Sequence, residues 1–358
     1  MKVLALNSSP RAEGQSKTNL MLTSLVEGMQ DAGAEVEAIE LRRKTIKNCI
    51  GCYTCWTKTP GRCIHKDDMT DELFPKWLAS DMVVYATPLY NYGMNATLKA
   101  FIERTLPSME PFFEVQNNRM YHPLRFKVPA IVMLSVAGMP DEGHFKTLSN
   151  HMSYLTATAG RRLLAEIYRP AAEMLTHPVL KHKRREILDA TAQAGRELVR
   201  SQQISPATMA RVTQPLLESQ PFAHLANAFW KTCITEGVTP KEFAKKNLRP
   251  RPDSLETFML MMPLGFNPDS AKGLRATLQF EFTGEVEGDC HFVIADNAIT
   301  AKADRAEKPD LTITSPFEVW MDIMTGKADG AQMLMEGEYT AEGNMDLLLN
   351  MSKMFGQS

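Results

Sequence analysis

The amino-acid sequence predicts an α/β protein made of a doubly wound parallel sheet, a helical connector and a C-terminal α+β domain. Up to about residue 170, short apolar runs rich in β-forming residues alternate with helical segments, the pattern of a doubly wound fold. Residues 173–253 are charged and helical in pattern, without a strand signal. Beyond residue 254, apolar and polar side chains alternate, as in a sheet with one buried face and one solvent-exposed face.

The first predicted domain, residues 1–172, contains five strands and four helices. Its strands are uniformly apolar, which fits a parallel sheet buried on both faces by helices. Five strands with four or five helices make the size of a flavodoxin-like domain. The predicted strands are Val3–Leu6, Val36–Leu41, Met82–Ala86, Ala130–Leu134 and Leu163–Tyr168, and the predicted helices cover about 17–31, 68–79, 94–106 and 144–159.

The connector, residues 173–253, is predicted to contain the helices Arg184–Ser201 and Pro206–Glu218. Two prolines and mixed charge in residues 247–254 indicate a domain boundary. The last predicted domain therefore covers residues 254–358.

The last domain begins its sheet with Ala276–Phe282, where single apolar and polar residues alternate. Antiparallel strands are the simplest arrangement for such a pattern. A hairpin within 288–304 that turns at Asp296 and Asn297, a strand at Asp310–Thr314 and helices near 316–325 and 343–354 complete this prediction.

Acidic and basic residues nearly balance, which leaves a formal charge of −2. This excludes the broad basic face that nucleic-acid phosphates require, so no nucleic-acid partner is expected. The N-terminal apolar run turns polar at Asn7, too early for a signal peptide, and no apolar run reaches the length of a membrane span. We therefore expect a cytoplasmic protein without an integral membrane segment.

Residues 7–19, NSSPRAEGQSKTN, follow the first strand and lead into an apolar-periodic helix. Backbone N–H groups at a helix start bind phosphate well when Ser, Thr and Arg side chains assist them. A hydroxyl-rich helix cap is the alternative interpretation. Neither the Walker spacing nor the Gly-x-Gly-x-x-Gly spacing is present. The candidate phosphate ligands are Ser9, Arg11, Ser16, Thr18 and Asn19.

Two motifs resemble the NADPH-dependent FMN reductase family. The first loop carries Ser9-Pro10-Arg11 and later Ser16-Lys17-Thr18, although Ser8 stands where the family usually has glycine. The second motif, TPLYNYGM at 87–94 with LKAFIER at 98–104, follows the third strand, at the edge where doubly wound sheets bind ligands. In the family this loop holds the isoalloxazine ring. The candidate flavin ligands are Pro88, Leu89, Tyr90, Asn91, Tyr92 and Gly93, with Ser135 and Gly138 from a third loop.

The resemblance implies FMN as the bound cofactor and NAD(P)H as the co-substrate. In such proteins a nicotinamide passes hydride to the flavin, which then passes one or two electrons to an acceptor. The polypeptide supplies binding and electrostatics, so no catalytic acid or base is assigned. Flavin domains of this family commonly form oligomers, so the resemblance also implies a homo-oligomer.

Cys49, Cys52, Cys55 and Cys63 crowd into one segment ahead of the residues Asp-Asp-Met at 67–69. In a reducing compartment this spacing indicates metal binding or redox chemistry, with buried thiols as the alternative. The compact C-x2-C-x2-C run is closer to iron–sulfur ligation than to structural zinc. It resembles the iron–sulfur flavoproteins, in which a 4Fe-4S cluster takes electrons from FMN. Many flavin reductase relatives keep such cysteines without a cluster, so metal-free thiols, a 4Fe-4S cluster and zinc all stay open.

C-terminal motifs resemble the sterol carrier protein family. In order they are KPDLTIT at 308–314, IMTGKA at 323–328, Gly-Glu at 337–338 and Gly-Asn-Met at 343–345. The family encloses an apolar lipid tunnel between a five-stranded sheet and helices, and methionine, frequent here, suits adaptable surfaces. Taken singly, most of these methionines also fit an ordinary core. The predicted lipid-lining residues are Phe258, Met262, Phe280, Phe282, Phe292, Trp320, Met324 and Met335.

Three hypotheses follow. The first is an FMN-containing NAD(P)H oxidoreductase whose lipid domain captures an apolar small molecule or lipid. The second is an electron-transfer protein of the iron–sulfur flavoprotein kind, with an electron-transfer partner, in which the lipid domain serves docking rather than substrate delivery. The third is a lipid-binding protein whose flavin domain reports the redox state. Cluster content separates the first two, and steady NAD(P)H turnover would count against the third.

Overall fold

The computed structural model of the protein describes residues 1–12, 14–116 and 118–356. The chain divides into two compact units, Met1–Leu217 and Glu218–Ser358. The predicted connector, residues 173–253, is thereby shared between the two units. None of the helices in the described ranges combines the length and the apolar character that crossing a membrane would need.

The N-terminal unit is built on a parallel sheet of five strands. Their order is β2-β1-β3-β6-β7, and every neighbouring pair is parallel. In chain order this is the 2-1-3-4-5 arrangement of flavodoxin-like folds, so the predicted fold class is confirmed. The strands are β1 (Lys2–Asn7), β2 (Glu35–Glu40), β3 (Met82–Pro88), β6 (Ala130–Val136) and β7 (Leu163–Arg169), and a separate hairpin consists of β4 (Glu114–Gln116) and β5 (Arg119–Tyr121).

Several helices of this unit are shorter than their patterns predict. The helix predicted at 94–106 begins only at Ala96, because Asn95 caps it by accepting the backbone N–H of Leu98. The helix predicted over Pro206–Glu218 ends at Thr213, because Pro215 drives the preceding residue out of the helical conformation. The helices are α1 (Lys17–Asp31), α2 (Phe74–Ala79, after a π-helical turn at Met69–Leu73), α3 (Ala96–Glu103), α4 (Lys146–Thr156), α5 (Lys181–Ser201) and α6 (Pro206–Thr213).

Helix α5, from the predicted connector, lies directly against α1. A Cβ atom on Gly28 would stand 1.7 Å from the carbonyl oxygen of Ala192, and one on Gly195 would stand 2.2 Å from the carbonyl oxygen of Leu25. Only glycine permits such an approach, because a Cβ atom would overlap the facing backbone. The first part of the predicted connector is therefore an integral layer of the N-terminal unit.

The C-terminal unit has a five-stranded sheet in the order β10-β9-β8-β11-β12, covered by short helices. Its hairpin turns at Asp296 and Asn297 as predicted, and both residues have a positive φ, 52° and 60°. The strands are β8 (Ala276–Thr283), β9 (Gly288–Ala295), β10 (Ala298–Lys302), β11 (Leu311–Pro316) and β12 (Thr340–Gly343). The helices are α7 (Ser219–Thr235), α8 (Pro240–Lys245), α9 (Leu255–Gly265), α10 (Phe317–Thr325), α11 (Gly330–Glu336), α12 (Met345–Leu349) and α13 (Met351–Phe355).

The expectation of a purely antiparallel sheet is wrong at one pairing. Strand β11 runs parallel to β8, with Ile313 opposite Phe280. The segment 303–310 returns the chain to the starting end of β8 before β11 begins. Along this return the backbone N–H of Ala306 donates to the buried side chain of Gln279 at 2.9 Å. Strand alternation reports which face is buried, but it carries no information about strand direction.

Candidate active site

The carboxyl ends of β1, β3 and β6 are neighbours in the sheet, so the three predicted loops meet at one edge. Ser8 joins the first loop to β3, because its backbone N–H and its hydroxyl both donate to the carbonyl oxygen of Ala86 at 2.9 Å. The side-chain amide of Asn95, at the end of the second loop, donates to the carbonyl oxygen of Ser8 at 2.6 Å. The backbone N–H of Leu89 donates to the carbonyl oxygen of Val136 at 2.8 Å and so reaches the third loop.

The first loop is held by its own side chains around the start of α1. Asn7 accepts the backbone N–H of Ser9 at 3.0 Å and donates to the Asn19 side chain at 2.9 Å. Ser16 caps α1 by accepting the backbone N–H of Asn19 at 3.0 Å. Ser9, Ser16 and Thr18 are buried, whereas Arg11 is exposed. Ser16 thus plays the capping role of the alternative interpretation, and the N–H groups of the first turn still lack acceptors within the helix.

Glu173 lies against both cations of this loop. Its carboxylate is 2.5 Å from Arg11 Nη1 and 3.6 Å from Lys17 Nζ. The contact arises because a 3-10 turn, Ala172–Thr176, directly follows β7. The sequence pattern assigns no role to Glu173, since only the fold places the end of β7 near the start of α1.

The second loop contains a tight turn at Asn91 and Tyr92. Both residues have a left-handed backbone, with φ of 46° and 62°. Tyr90 and Gly93 close the turn by exchanging two backbone hydrogen bonds of 3.0 Å. A bulky residue in this conformation costs about 1–3 kcal/mol, and such strain concentrates at functional sites. The ring of Tyr92 is stacked on the imidazole of His144, with 5.6 Å between ring centroids, and His144 is absent from the residues predicted by sequence.

The third loop contributes Ser135 and Gly138. Ser135 is fully buried near the end of β6, and within the described residues its hydroxyl has no hydrogen-bond partner. Gly138 is exposed, and a Cβ atom there would meet nothing within 4 Å. Backbone hydrogen bonds from Ala137 to Arg169 and from Ala171 to Met139 hold this loop against the end of β7. Ser135 therefore lies within β6 rather than in the predicted loop, and its hydroxyl is an unsatisfied polar atom near the carboxyl end of that strand.

The four clustered cysteines line a single pocket of the N-terminal unit, together with His65 and Arg104. Cys55 is buried, Cys49 and Cys63 are half-buried and Cys52 is exposed. The centre of a water molecule can occupy about 20 Å³ of this pocket, and the space not filled by atoms, open solvent included, is about 340 Å³.

A single metal ion and an iron–sulfur cluster require different arrangements of the four thiols. In the described part of the chain, no three His, Cys, Asp or Glu side chains are arranged to hold a single metal ion. Structural zinc needs its sulfur ligands about 2.3 Å from one centre. An iron–sulfur cluster is ligated at its separate irons, so its cysteine sulfurs stand further apart. Metal-free thiols, a cluster and zinc all stay open for these four cysteines.

The thiols of this pocket differ in acidity. Hydrogen bonds from the side chain and the backbone of Thr54 lower the pKa of Cys52. Burial, followed by the nearby thiols of Cys63, Cys49 and Cys52, raises the pKa of Cys55 to about 11. The other three thiols therefore act electrostatically on Cys55.

A buried ion pair supports this pocket. Arg104 Nη1 and Nη2 donate to the two carboxylate oxygens of Asp67 at 2.7 and 3.0 Å, and they also donate to Lys47 O and to Thr70 Oγ1. Burial acts to raise the pKa of Asp67, but hydrogen bonds from Arg104 and from the Lys47 and Thr70 amides outweigh it and hold the pKa well below its ordinary value. Burial acts to lower the pKa of Arg104, but Asp67 and Cys63 raise it.

The C-terminal unit buries most of the predicted lipid-lining residues in one core. Phe258 contacts the rings of Phe280, Phe282 and Phe292 with centroid separations of 5.2, 5.1 and 5.6 Å. The exposed side chain of Met335, at 82% accessibility, lies outside this core. The residues brought together are Phe258, Met262, Phe280, Phe282, Phe292 and Trp320, with Met324 partly buried against them.

In comparison with known proteins, the two parts of the chain match the models of two different families. Residues 1–163 match the model of the NADPH-dependent FMN reductase family, and residues 266–356 match that of the SCP-2 sterol transfer family. An iron-sulfur flavoprotein of Archaeoglobus fulgidus is 38% identical over 107 residues, which are 30% of this chain and 46% of that protein. The FMN-dependent NADH:quinone oxidoreductase 2 of Xanthomonas axonopodis pv. citri is 32% identical over 105 residues, 29% of this chain and 48% of that protein.

A solved structure shows a weaker likeness. The NAD(P)H:quinone oxidoreductase from Methanothermobacter marburgensis is 19% identical, with a TM-score of 0.42 over 55% of this chain and 96% of that one. The chain spans about half the length of the curated relatives that it matches. Residues 1–163 are thus similar to the NADPH-dependent FMN reductase family, and residues 266–356 are similar to the SCP-2 sterol transfer family.

Proposed function

We propose that this protein is an FMN-dependent NAD(P)H oxidoreductase whose cofactor binds at the carboxyl edge of the parallel sheet. The observation that carries the proposal is the hydrogen bond from Asn95 to Ser8, which ties two loops into one site. The match of residues 1–163 to a flavin reductase family supports it. So do relatives that are named as flavoproteins and as an FMN-dependent oxidoreductase.

In this proposal the first loop holds the phosphate. The first-turn N–H groups of α1 and the hydroxyls of Ser9 and Thr18 are its donors, and Arg11 and Lys17 supply positive charge. Residues 88–93 hold the isoalloxazine ring, and the unsatisfied hydroxyl of Ser135 is a further donor at the same edge. Bound FMN supplies hydride acceptance from a nicotinamide and one- or two-electron transfer onward.

The second part of the proposal concerns the C-terminal unit, which would capture an apolar acceptor such as a quinone, a sterol or a fatty acyl compound. Its match to a sterol transfer family supports this role. Joining capture and reduction in one chain would raise the effective concentration of the acceptor near the flavin.

The test is the visible spectrum of the anaerobically purified full-length protein before and after addition of NADPH or NADH. Oxidised flavin bands that bleach with nicotinamide and recover with a soluble quinone would support the proposal. Protein that stays colourless after incubation with FMN would overturn it and leave lipid binding as the function.

A second candidate function is electron transfer through a 4Fe-4S cluster held by Cys49, Cys52, Cys55 and Cys63. The four cysteines line one pocket, and within the described residues two nitrogen atoms of the same pocket, Arg104 Nε and His65 Nε2, are buried without partners. Arg104 Nε always carries a proton, and His65 Nε2 carries one in one of the two neutral tautomers and in the charged form. An unpartnered donor beside thiols fits an anionic sulfur-rich group. Such a cluster supplies single-electron transfer.

The iron and acid-labile sulfide content of the same preparation tests this candidate. A cluster predicts about four irons per chain and a broad absorption over the flavin bands. Substitution of Cys63 by Ser should then remove the iron, whereas substitution of the distant Cys233 by Ser should retain it. Iron-free protein, both as purified and after anaerobic treatment with iron and sulfide, would overturn the candidate and leave the cysteines as thiols.

A further inference from the structure

Arg104 is a buried cation with one unused donor. The residue is 2% exposed, and its two terminal nitrogens are occupied by Asp67, Lys47 O and Thr70 Oγ1. Within the described residues, its Nε has no hydrogen-bond partner. A buried donor left unsatisfied costs on the order of 1–3 kcal/mol, and more for a charged group. Such a group calls for an acceptor beside its Nε atom.

The position of Arg104 indicates what that acceptor is. Arg104 lines the pocket formed by the four cysteines, and so does His65, whose Nε2 is likewise buried without a partner among the described residues. The other walls of the pocket are apolar apart from Tyr53 and Glu103, and the Glu103 carboxylate is paired with Lys99 at 2.5 Å. Cys63 also acts on Arg104, since it raises the pKa of the guanidinium. The sulfur atoms are therefore the candidate acceptors in this pocket.

We infer that Arg104, with His65, is a positioning residue that donates to the sulfur atoms of the cysteine-held cluster and raises its reduction potential. This inference rests on the second candidate function. Reduction adds one electron to a centre that is already anionic, and hydrogen bonds to the sulfurs favour the more negative form. Asp67 orients Arg104 through a bidentate contact, which leaves Nε for the pocket.

The test compares the reconstituted full-length protein with three variants. Arg104→Lys keeps the positive charge but removes the Nε donor, and His65→Phe removes the second donor while keeping a ring. The control is Arg125→Lys, because Arg125 Nε is also buried without a partner in the described residues, yet Arg125 is not among the residues that line the pocket. Iron per chain and the midpoint potential are measured, the latter by electron paramagnetic resonance in a redox titration.

We expect Arg104→Lys to bind iron with a more negative midpoint, so that the reduced-to-oxidised ratio at a fixed potential falls about tenfold, equivalent to about 59 mV for one electron. His65→Phe should shift the midpoint in the same direction, and Arg125→Lys should leave it unchanged. Midpoints that coincide in all four proteins would overturn the inference. If Arg104→Lys does not fold, judged by circular dichroism, His65→Phe decides the matter alone. An unsubstituted protein that takes up no iron overturns the candidate function itself, which is seen before any variant is compared.

Discussion

Asn95 donates its side-chain amide to the carbonyl oxygen of Ser8 at 2.6 Å, across a sequence separation of 87 residues. The same side chain caps α3 by accepting the backbone N–H of Leu98 at 3.2 Å, and the backbone N–H of Asn95 donates to Thr87 Oγ1 at 3.1 Å. Asn95 is buried. One residue thus connects the proposed phosphate loop, the proposed ring loop and a helix start.

Replacing Asn95 by Ala should weaken FMN binding about tenfold and destabilise the N-terminal unit by about 1–2 kcal/mol, the usual effect of losing a helix cap. The cause is loss of the contact that sets one loop against the other. Fluorescence titration with FMN and chemical denaturation measure the two effects. The matched control is Asn344→Ala, which removes the cap of α12 in the other unit and should leave FMN affinity unchanged. Equal FMN affinity in both variants would contradict the prediction.

Replacing Glu173 by Gln should tighten FMN binding by about threefold, because its carboxylate then no longer competes with the phosphate for Arg11 and Lys17. The effect is small because exposed ion pairs contribute under about 1 kcal/mol. Riboflavin, which lacks the phosphate, is the control ligand and should bind both proteins equally. A similar gain for riboflavin would show that Glu173 acts on something other than the phosphate site.

Replacing Asp67 by Asn should destabilise iron-free protein by about 3–5 kcal/mol at pH 7, because Arg104 would be left buried without its counter-charge. The pKa of Asp67 is lowered in the folded state, so its contribution is present above the ordinary Asp range and is lost as the pH falls below about 4. The free energies of unfolding of the unsubstituted protein and of Asp67→Asn should therefore differ less at acidic pH than at pH 7.

Unfolding in guanidinium chloride at pH 7 and at about pH 3 measures this difference. Glu72→Gln serves as the control, because Glu72 forms half-exposed pairs with Lys44 and Lys76 and should contribute under about 1 kcal/mol. A difference between Asp67→Asn and the unsubstituted protein that stays constant with pH would refute the assignment.

Replacing Gly28 by Ala should destabilise the N-terminal unit by about 3 kcal/mol, since the added Cβ would overlap the backbone of Ala192. The backbone of Ala192 belongs to the packed helix α5, so it cannot easily move away from the added Cβ atom. Thermal unfolding followed by circular dichroism measures the loss. Glu27→Ala, at an exposed site on the same helix, should have almost no effect. If Gly28→Ala is equally neutral, α5 does not lie against α1 as described.

Replacing Phe258 by Ala should cost the C-terminal unit about 3–5 kcal/mol, because this ring is fully buried against three others. Met335→Ala should be neutral for stability, since that side chain is exposed. Both residues are predicted to line a lipid site, so displacement of a fluorescent fatty acid is measured on the same proteins. Weaker fatty-acid binding by Met335→Ala would show that the bound state draws this side chain inward.

Sequence patterns alone predict the alternation of strands and helices, the position of the loops after the first, third and fourth strands of the parallel sheet, and the crowding of four cysteines. These features are local: hydrophobic periodicity, turn residues and short motifs report the conformation of neighbouring residues. The helix predicted over 17–31 has the observed bounds, because its capping residue Ser16 and its periodic apolar face are both local features of the sequence. Candidate residues such as Ser9 and Tyr92 lie in the predicted loops for the same reason.

Contacts between residues that are distant in sequence depend on the three-dimensional fold. The parallel pairing of β11 with β8, the contact of Glu173 with Arg11, and the placement of Arg104 beside the cysteines all depend on where the chain returns after long excursions. The identity of a charged or polar residue does not reveal whether its side chain contacts solvent, a counter-ion or no partner at all. Its partner is set by the packing of whole elements, because that packing determines which backbone and side-chain groups lie within hydrogen-bond distance.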